Sequence, residues 1–258
     1  MNVMSSIIKR MPDVLRARWG VNEGIQRFAF DPKSSVKADI QAKHGSSELL
    51  DIYASNQGQV VHKWHHYIPI YERYFAQFRA RKFRFLEIGV SKGGSLNLWR
   101  RYFGPEAIIF GIDIDPACRA FNGISGQVRI GSQDDPRFLD SVIEEMGGVD
   151  VVLDDGSHQI PHVIQSLRHI FPKLNLGGIY MIEDLHTAYW NEFGGGYQTK
   201  DHFFKFVAEL MDDMHHWYHV AGVQHPQIGD ACPAIHIHDS ITVLEKSAVH
   251  RPTHSQVG

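Results

Sequence analysis

The chain has 258 residues, of which 43% are hydrophobic and 21% charged, so it is long enough to bury a substantial core without crosslinks. Its 26 basic and 29 acidic side chains give a net charge of −3, and this balance provides no electrostatic surface for nucleic acid. Two cysteines exclude a disulfide framework and a four-thiolate zinc site, and we expect a reducing cytoplasm. No apolar run reaches the roughly 18 residues of a membrane-spanning helix.

The sequence predicts three parts. Residues 1–45 are rich in turn residues and are interpreted as an N-terminal helical extension, residues 46–250 as the main domain and residues 251–258 as a tail. Within 46–80, apolar and aromatic residues recur at helical spacing. Short apolar runs then alternate with helical patterns. We expect strands at 85–90, 107–113, 127–130, 149–153 and 178–182, helices at 96–103, 136–146, 161–171 and 203–217, and a closing hairpin at 234–245.

Strands and helices that alternate at this spacing form right-handed β-α-β units. The predicted fold is α/β and Rossmann-like, with a mostly parallel sheet, helices on both faces and an antiparallel C-terminal hairpin. In such a sheet, ligands bind beyond the carboxyl ends of the strands. All five predicted strand ends carry acidic or small polar residues: Glu87-Ile88-Gly89, Asp113, Gly131-Ser132-Gln133-Asp134, Asp154-Asp155 and Glu183-Asp184.

Two adenosine cofactors compete for this edge of the sheet. A nicotinamide dinucleotide needs Gly-x-Gly-x-x-Gly after the first strand, whereas this chain has Gly89 followed by Gly93-Gly94. S-adenosylmethionine has no phosphate, and its ammonium and ribose diol suit the acids Glu87 and Asp113. The sequence therefore favours S-adenosylmethionine, and a tight turn without a ligand is the alternative for the glycines.

The fourth and fifth predicted strands end in four carboxylates. If these strands are neighbours, their ends lie about 4.8 Å apart, and the carboxylates need a cation between them to stay ionised. Oxygen ligands without thiolate favour Mg²⁺ or Mn²⁺. Because side chains alternate along a strand, we expect Asp154 and Asp155 to diverge, one toward the metal and one toward the loop. Helix capping and solvated strand ends are the alternative reading of these acids.

His158 follows the acids on a Gly-Ser turn and is predicted to be a general base, because histidine titrates near neutral pH. A zinc site in the other histidine clusters is a weaker alternative, because no cysteine or carboxylate completes a usual ligand set. Those clusters are His62, His65 and His66, and His215, His216 and His219. A hydrolase elbow, Gly-x-Ser-x-Gly, and a two-histidine iron triad are both absent from the sequence.

Six segments carry a family resemblance: Leu86-Glu87-Ile88-Gly89-Val90, Gly94-Ser95-Leu96 with Trp99, Gly111-Ile112-Asp113-Ile114, Gly131-Ser132-Gln133-Asp134, Asp154-Asp155-Gly156-Ser157-His158 and Ile182-Glu183-Asp184-Leu185-His186. In this order they resemble the macrocin- and mycinamicin-type sugar O-methyltransferases of macrolide biosynthesis, over residues 46–246. The resemblance implies a class I methyltransferase that uses S-adenosylmethionine and Mg²⁺ to methylate a hydroxyl of a sugar attached to its aglycone.

The resemblance also implies site residues. The implied Mg²⁺ ligands are Asp155, Glu183 and Asp184, and the implied general base is His158. The implied cofactor contacts are Glu87, Gly89, Ser95, Asp113, Ser132 and Gln133, with Asp154 orienting the site or touching the cofactor. The expected partner is a small-molecule glycoside, and we expect a homo-oligomer. One departure is Ser55-Asn56-Gln57, where the family often has a Thr-Asp-Lys-like segment.

Two other functions stay open at the level of the sequence. A metal-dependent catechol-type O-methyltransferase also binds adjacent hydroxyls, and Tyr189, Trp190 and Phe193 would supply its aromatic wall. A non-catalytic protein with the methyltransferase fold is the third possibility. The acidic cluster with its histidine argues against this possibility, because no structural role requires them.

Overall fold

The structure is a computed structural model that describes residues 30–31, 33–200 and 202–258. These residues form two compact units: the first unit ends at Gly156, and the second unit is Ser157–Gly258. Of the predicted extension 1–45, residues 1–29 and 32 lie outside the described residues. The predicted domain boundaries stay a prediction.

Four parallel strands form the sheet of the first unit: β1 (Arg84–Ile88), β2 (Ile108–Asp113), β3 (Gln127–Ile130) and β4 (Val149–Asp154). Their order is β3-β2-β1-β4. Short, almost continuous apolar runs of this kind are typical of parallel strands that are covered on both faces. The central strand β1 places Glu87 opposite Gly111 of β2 and Leu153 of β4, so the acidic ends of three strands come to one edge.

The helices of the first unit are α1 (Val36–His44), α2 (Glu48–Ala54), α3 (Tyr67–Phe75), α4 (Gly94–Phe103) and α5 (Pro136–Met146). Side-chain caps define several of their starts. The Ser47 hydroxyl accepts the backbone N–H of Leu50, and the Asp135 carboxylate accepts that of Arg137, satisfying amides that have no partner within the helix. Pro136 opens α5 at a position where its missing N–H costs nothing.

An aromatic core holds α3 and α4 against β1. The rings of Tyr71 and Phe75 on α3 lie 5.2 and 5.5 Å from the ring of Trp99 on α4, and Phe85 on β1 lies 5.1 Å from Phe103. All five side chains are fully buried. Edge-to-face aromatic pairs contribute stabilisation beyond that of the apolar area they bury. This core therefore fixes α4, the helix that carries the hydrogen-bond donors Ser95 and Trp99.

The second unit contains α6 (Ile160–Ile170), β5 (Leu174–Ile182), α7 (Phe203–Met214), α8 (Pro226–Gly229), β6 (Ala234–His238) and β7 (Ile241–Glu245). Its three strands run in the order β5-β7-β6, and β7 is antiparallel to both neighbours. A two-residue turn joins β6 to β7, and its second residue, Ser240, has a positive φ of 65°. The C-terminal hairpin predicted from the sequence is confirmed.

A strand lies at each predicted position, and the main differences are at the ends of elements. β5 begins at Leu174, before the predicted Gly178. Residues 175–177 are exposed, so the sequence there lacks the apolar pattern of a buried strand. The helical pattern over 46–80 is divided between α2 and α3, and the last predicted helix ends at Met214. Among the described helices, none combines the length and hydropathy that crossing a bilayer requires.

We expect Phe103→Ala to lower the free energy of unfolding by about 3–5 kcal/mol, because it empties a fully buried position between Phe85 and Trp99. Phe103→Leu should cost less than half of this, since most of the apolar volume is kept. Ile114→Ala, at a side chain that is 72% exposed, should change stability by less than about 0.5 kcal/mol. Urea denaturation measures all three, and equal losses for the two Phe103 variants would contradict the packing described.

Candidate active site

The carboxylate of Glu87 lies near the end of the apolar strand β1 and is fully buried. Its two oxygens accept hydrogen bonds from the Ser95 hydroxyl at 2.8 Å and the Trp99 indole N–H at 3.0 Å. Ser95 and Trp99 are four residues apart on α4, so they lie one above the other on the face that meets β1. The helix thus supplies both donors to one carboxylate.

Burial raises the pKa of Glu87 to about 7, because a charged carboxylate loses its hydration inside the protein. The positive charge of Lys63 and the two hydrogen bonds oppose the rise, whereas the negative charge of Asp155 adds to it. A carboxyl group that titrates near neutral pH at a strand end is unusual, and such shifts concentrate at functional sites.

Gly89 forms the turn that follows β1, with a positive φ of 97°. A Cβ atom there would lie 2.0 Å from the backbone oxygen of Asp155, so only glycine lets the two strand ends approach this closely. Asp113, at the end of β2, holds the same turn: its Oδ2 accepts the N–H groups of Val90 and Ser91 at 2.9 and 2.8 Å.

The pKa of Asp113 is lowered. Burial alone would raise it, but the backbone N–H groups of Asp115, Ser91 and Val90 favour the ionised form more strongly. Oδ1 accepts one of these bonds, from Asp115 at 2.8 Å, and a carboxylate oxygen has capacity for a second donor. Asp113 is thus a fixed anion at the end of β2, able to accept a further hydroxyl.

Asp154 and Asp155 have different partners, as strand alternation predicts. Asp154 is buried and accepts the side-chain N–H of Gln133 at 3.2 and 3.3 Å, and it also accepts the N–H of Gly156 at 3.4 Å. Ser132, beside Gln133, donates its hydroxyl to Asp134. These contacts shape the loops after β3 and β4, and the cofactor contacts expected of Asp154, Ser132 and Gln133 stay predictions.

Asp155 pairs instead with Lys63, whose ammonium lies 2.5 Å from Oδ2. The Lys63 side chain is 1% exposed and that of Asp155 is 22% exposed. Sequence reasoning missed Lys63, which lies between α2 and α3 in a segment with no periodic pattern. Its ion pair with Asp155 joins residues that are 92 positions apart, so no local sequence pattern signals this contact.

In the second unit, His158 and Asp184 both adopt positive φ, at 55° and 59°. Residues other than glycine rarely hold this conformation, and it costs about 1–3 kcal/mol at each position. The two side chains face each other, with His158 Nε2 3.7 Å from Asp184 Oδ2, and His186 Nδ1 lies 3.9 Å from Asp184 Oδ1. Two imidazoles therefore flank the two oxygens of one carboxylate.

Hydrogen bonds on both sides hold the turn after β5. The Thr187 hydroxyl donates to the Asp184 carbonyl at 2.7 Å, and the N–H of Leu185 donates to the Ser240 carbonyl at 3.0 Å. The Ser240 hydroxyl accepts the N–H of His186 and lies 2.7 Å from its Nδ1. Glu183, directly before Asp184, is buried. The β6–β7 turn thus holds the backbone directly after Asp184.

Four aromatic side chains form an arc beside Asp184, which we call the aromatic arc: His186, Trp190, Phe193 and His158. Successive ring centroids along it are 4.9, 5.8 and 6.4 Å apart. Its loop is held by hydrogen bonds from the N–H groups of Gly195 and Gly196 to the carbonyls of Trp190 and Ala188. The arc places flat apolar rings next to a carboxylate and an imidazole.

The other histidine cluster of the second unit has a structural role. His215, His216 and His219 each place a ring nitrogen on a backbone carbonyl at the end of α7, at 2.7–2.9 Å. Side chains at a helix C-terminus often satisfy its last carbonyls in this way. In the first unit, His65 pairs with Asp39 at 2.9 Å. These contacts give His65 and the three histidines after α7 structural partners within the protein.

Comparison with known proteins identifies the relatives of this chain. A family model described as a methyltransferase domain matches residues 86–185. The 8-demethyl-8-alpha-L-rhamnosyl tetracenomycin-C 2'-O-methyltransferase of Streptomyces olivaceus is 36% identical over 251 residues, which are 92% of this chain and 66% of that protein. The demethylmacrocin O-methyltransferase of Streptomyces fradiae is 40% identical over 161 residues, 60% of this chain and 40% of that protein.

A solved structure agrees with these matches. The MycE methyltransferase of the mycinamycin biosynthetic pathway, in complex with Mg, SAH and mycinamycin VI, has a TM-score of 0.67 and 26% identity, covering 96% of this chain and 62% of that chain. The chain is similar to the macrocin- and mycinamicin-type O-methyltransferases, and residues 86–185 match a methyltransferase domain. The family resemblance and the Rossmann-like class I methyltransferase fold predicted from the sequence are confirmed. The chain spans 66% and 50% of the lengths of two tetracenomycin-modifying relatives.

The raised pKa of Glu87 predicts a pH dependence of the stability of this protein. The folded protein keeps a proton that the unfolded chain releases above pH 4.5, so its free energy of unfolding should fall by about 3 kcal/mol between pH 4.5 and 7 through this group. Glu87→Gln lacks this proton exchange, so its stability relative to the native chain should rise over the same window. Urea denaturation without cofactor measures it, and a pH-independent difference would contradict the assignment.

Proposed function

We propose that this chain is a Mg²⁺-dependent O-methyltransferase that transfers the methyl group of S-adenosylmethionine to a sugar hydroxyl of a glycosylated small molecule. The observation that carries the proposal is the Asp184 carboxylate, held in a strained turn between the imidazoles of His158 and His186. Its relatives are named as O-methyltransferases of rhamnosyl and olivosyl compounds, and the MycE structures contain Mg and SAH.

The first unit suits S-adenosylmethionine at the ends of β1 and β2. We assign the negative charge of Glu87 to the methionyl ammonium side of the cofactor and the Oδ1 atom of Asp113 to the ribose diol. We assign the backbone of Gly89 to the cofactor between them, in a turn that only glycine allows because the Asp155 backbone packs directly against it. Ser95 acts through Glu87, and Gln133 acts through Asp154.

The donor set suits a hard divalent ion. Asp155, Glu183 and Asp184 offer carboxylate oxygens, the ligands that Mg²⁺ prefers. Thiolates are absent from the set, since Cys118 and Cys232 are buried and donate to the carbonyls of Ser91 and Ala234. The side chains of Asp155 and Asp184 are 22% and 17% exposed, which leaves each open to a ligand. We therefore propose these three acids as the metal ligands.

His158 is the proposed general base. When bound, a divalent ion acidifies the hydroxyl groups that it contacts. The Nε2 atom of His158 faces Asp184 and takes the proton of the attacking hydroxyl, while the Asp184 carboxylate stabilises the imidazolium that forms. The hydroxyl oxygen forms a bond to the methyl carbon as the bond from carbon to sulfur breaks, releasing S-adenosylhomocysteine. Binding of both substrates aligns the oxygen, carbon and sulfur atoms, and this alignment lowers the activation barrier.

The aromatic arc provides a surface for the acceptor. A sugar packs the C–H groups of one face on aromatic rings, and a catechol stacks on them directly, so Trp190 and Phe193 suit both acceptor types. The names of the relatives favour the sugar. The catechol-type activity is the second candidate, and it is supported by the aromatic arc, on which a catechol ring could stack.

An acceptor screen tests the proposed function. Purified protein is incubated with labelled S-adenosylmethionine and either rhamnosylated or other deoxysugar glycosides, their aglycones, or catechols, with Mg²⁺ or with EDTA. We expect label to enter at least one glycoside only with Mg²⁺, with none in its aglycone. Transfer to catechols alone would refute sugar methylation and support the catechol-type activity. Transfer to a glycoside that persists after metal removal would refute the metal-dependent mechanism.

We expect His158→Ala to lower kcat by about 10²–10⁴-fold, the usual contribution of a general base. The affinity for S-adenosylmethionine, measured by calorimetry, should change little, since no cofactor contact is assigned to His158. His250→Ala, at an exposed histidine, is the matched control and should keep full activity. A His158 variant with normal kcat would remove this residue from the mechanism.

The partner assignment extends only as far as the small-molecule glycoside. The homo-oligomer and the cytoplasmic location expected from the sequence stay predictions.

A further inference from the structure

Lys63 is a buried cation aimed at a proposed metal ligand. Its side chain is 1% exposed, its ammonium lies 2.5 Å from Asp155 Oδ2, and it lies 5.8 Å from the centre of the Tyr71 ring. Lysine is almost never fully buried without a paired charge. The backbone of Lys63 is held as well, since the Tyr53 hydroxyl donates to the Lys63 carbonyl at 3.3 Å.

The charges around Lys63 form a small network in the first unit. The Lys63 ammonium favours the ionised form of Glu87, and the Asp155 carboxylate disfavours it, so the three groups act on one another. Lys63 is thus the counter-charge for two carboxylates at the ends of β1 and β4. A cation in this place does part of the electrostatic work that a bound metal ion would do.

We propose that the Lys63 ammonium is a built-in counter-ion that competes with the divalent ion for Asp155 and thereby sets the metal affinity of the chain. This inference rests on the proposed function, because only there is Asp155 a metal ligand. In the metal-free protein Lys63 neutralises Asp155 and keeps its carboxylate in place. When a divalent ion binds, two cations share this carboxylate, and their repulsion weakens metal binding.

Lys63→Met tests the competition, because methionine keeps much of the length and apolar contact of lysine without its charge. We expect the metal-free variant to melt at a lower temperature, since Asp155 loses its partner, and to bind Mg²⁺ about tenfold more tightly or better, measured by calorimetry without cofactor. Added Mg²⁺ should narrow the difference in melting temperature. Lys63→Arg keeps the charge and should stay within about threefold of the native affinity.

Lys246→Met is a matched control for the loss of a buried lysine. Lys246 is also buried, but it donates to the backbone carbonyls of Phe171 and Pro172 rather than to a carboxylate. We expect this variant to lose stability with no change in Mg²⁺ affinity. If Lys63→Met does not fold, Lys63→Gln, which keeps a polar end without the charge, replaces it.

Three results would overturn the inference or its basis. Equal or weaker Mg²⁺ binding by Lys63→Met would refute the competition. A loss of affinity for S-adenosylhomocysteine in the absence of metal, with Mg²⁺ affinity unchanged, would make Lys63 a cofactor ligand and refute it as well. A native chain that binds no Mg²⁺ would refute the metal part of the proposed function, which separates that failure from a failure of the inference alone.

Discussion

Several carboxylates lie at the buried ends of the strands, and the need to stabilise their negative charge constrains the loops around them. A carboxylate that leaves water needs hydrogen bonds or a cation, because its ionised form loses several kcal/mol of hydration. Three acids at the strand ends of the first unit meet this need differently: Glu87 through Ser95 and Trp99, Asp113 through three backbone N–H groups, and Asp155 through Lys63. The loops after the strands are shaped by these requirements, and their shapes create the proposed cofactor site.

In the second unit, the main energetic cost near the proposed site is backbone strain. His158, Asp184 and Ser240 all hold positive φ, and each is at or next to the proposed base and its facing carboxylate. Such strain persists only where surrounding contacts over-determine it. Here those contacts are the hydrogen bond from the Thr187 hydroxyl to the Asp184 carbonyl and the hydrogen bond from the Leu185 N–H to Ser240 in the β6–β7 turn. A rigid turn of this kind keeps the imidazole of His158 facing Asp184, as a positioned general base requires.

Most of the fold could be predicted from the sequence, because apolar runs and glycine turns are local signals. The strand positions, the helix Pro136–Met146 and the C-terminal hairpin all follow from such patterns. The divergence of Asp154 and Asp155 was also predictable from strand alternation. The Lys63–Asp155 pair was not, since its partners are 92 residues apart and lysine carries no burial signal. The positive φ at His158 and Asp184 likewise depends on tertiary hydrogen bonds.

In the proposed mechanism, the carboxylates of Asp155, Glu183 and Asp184 hold one divalent ion within reach of His158. Diffraction from crystals grown with Mn²⁺ and S-adenosylhomocysteine, recorded to give the anomalous signal of manganese, tests it most directly. The account predicts a single anomalous peak bonded to oxygens of Asp155, Glu183 and Asp184, with the His158 ring nearby. A peak elsewhere, or no peak while S-adenosylhomocysteine is bound, would contradict it.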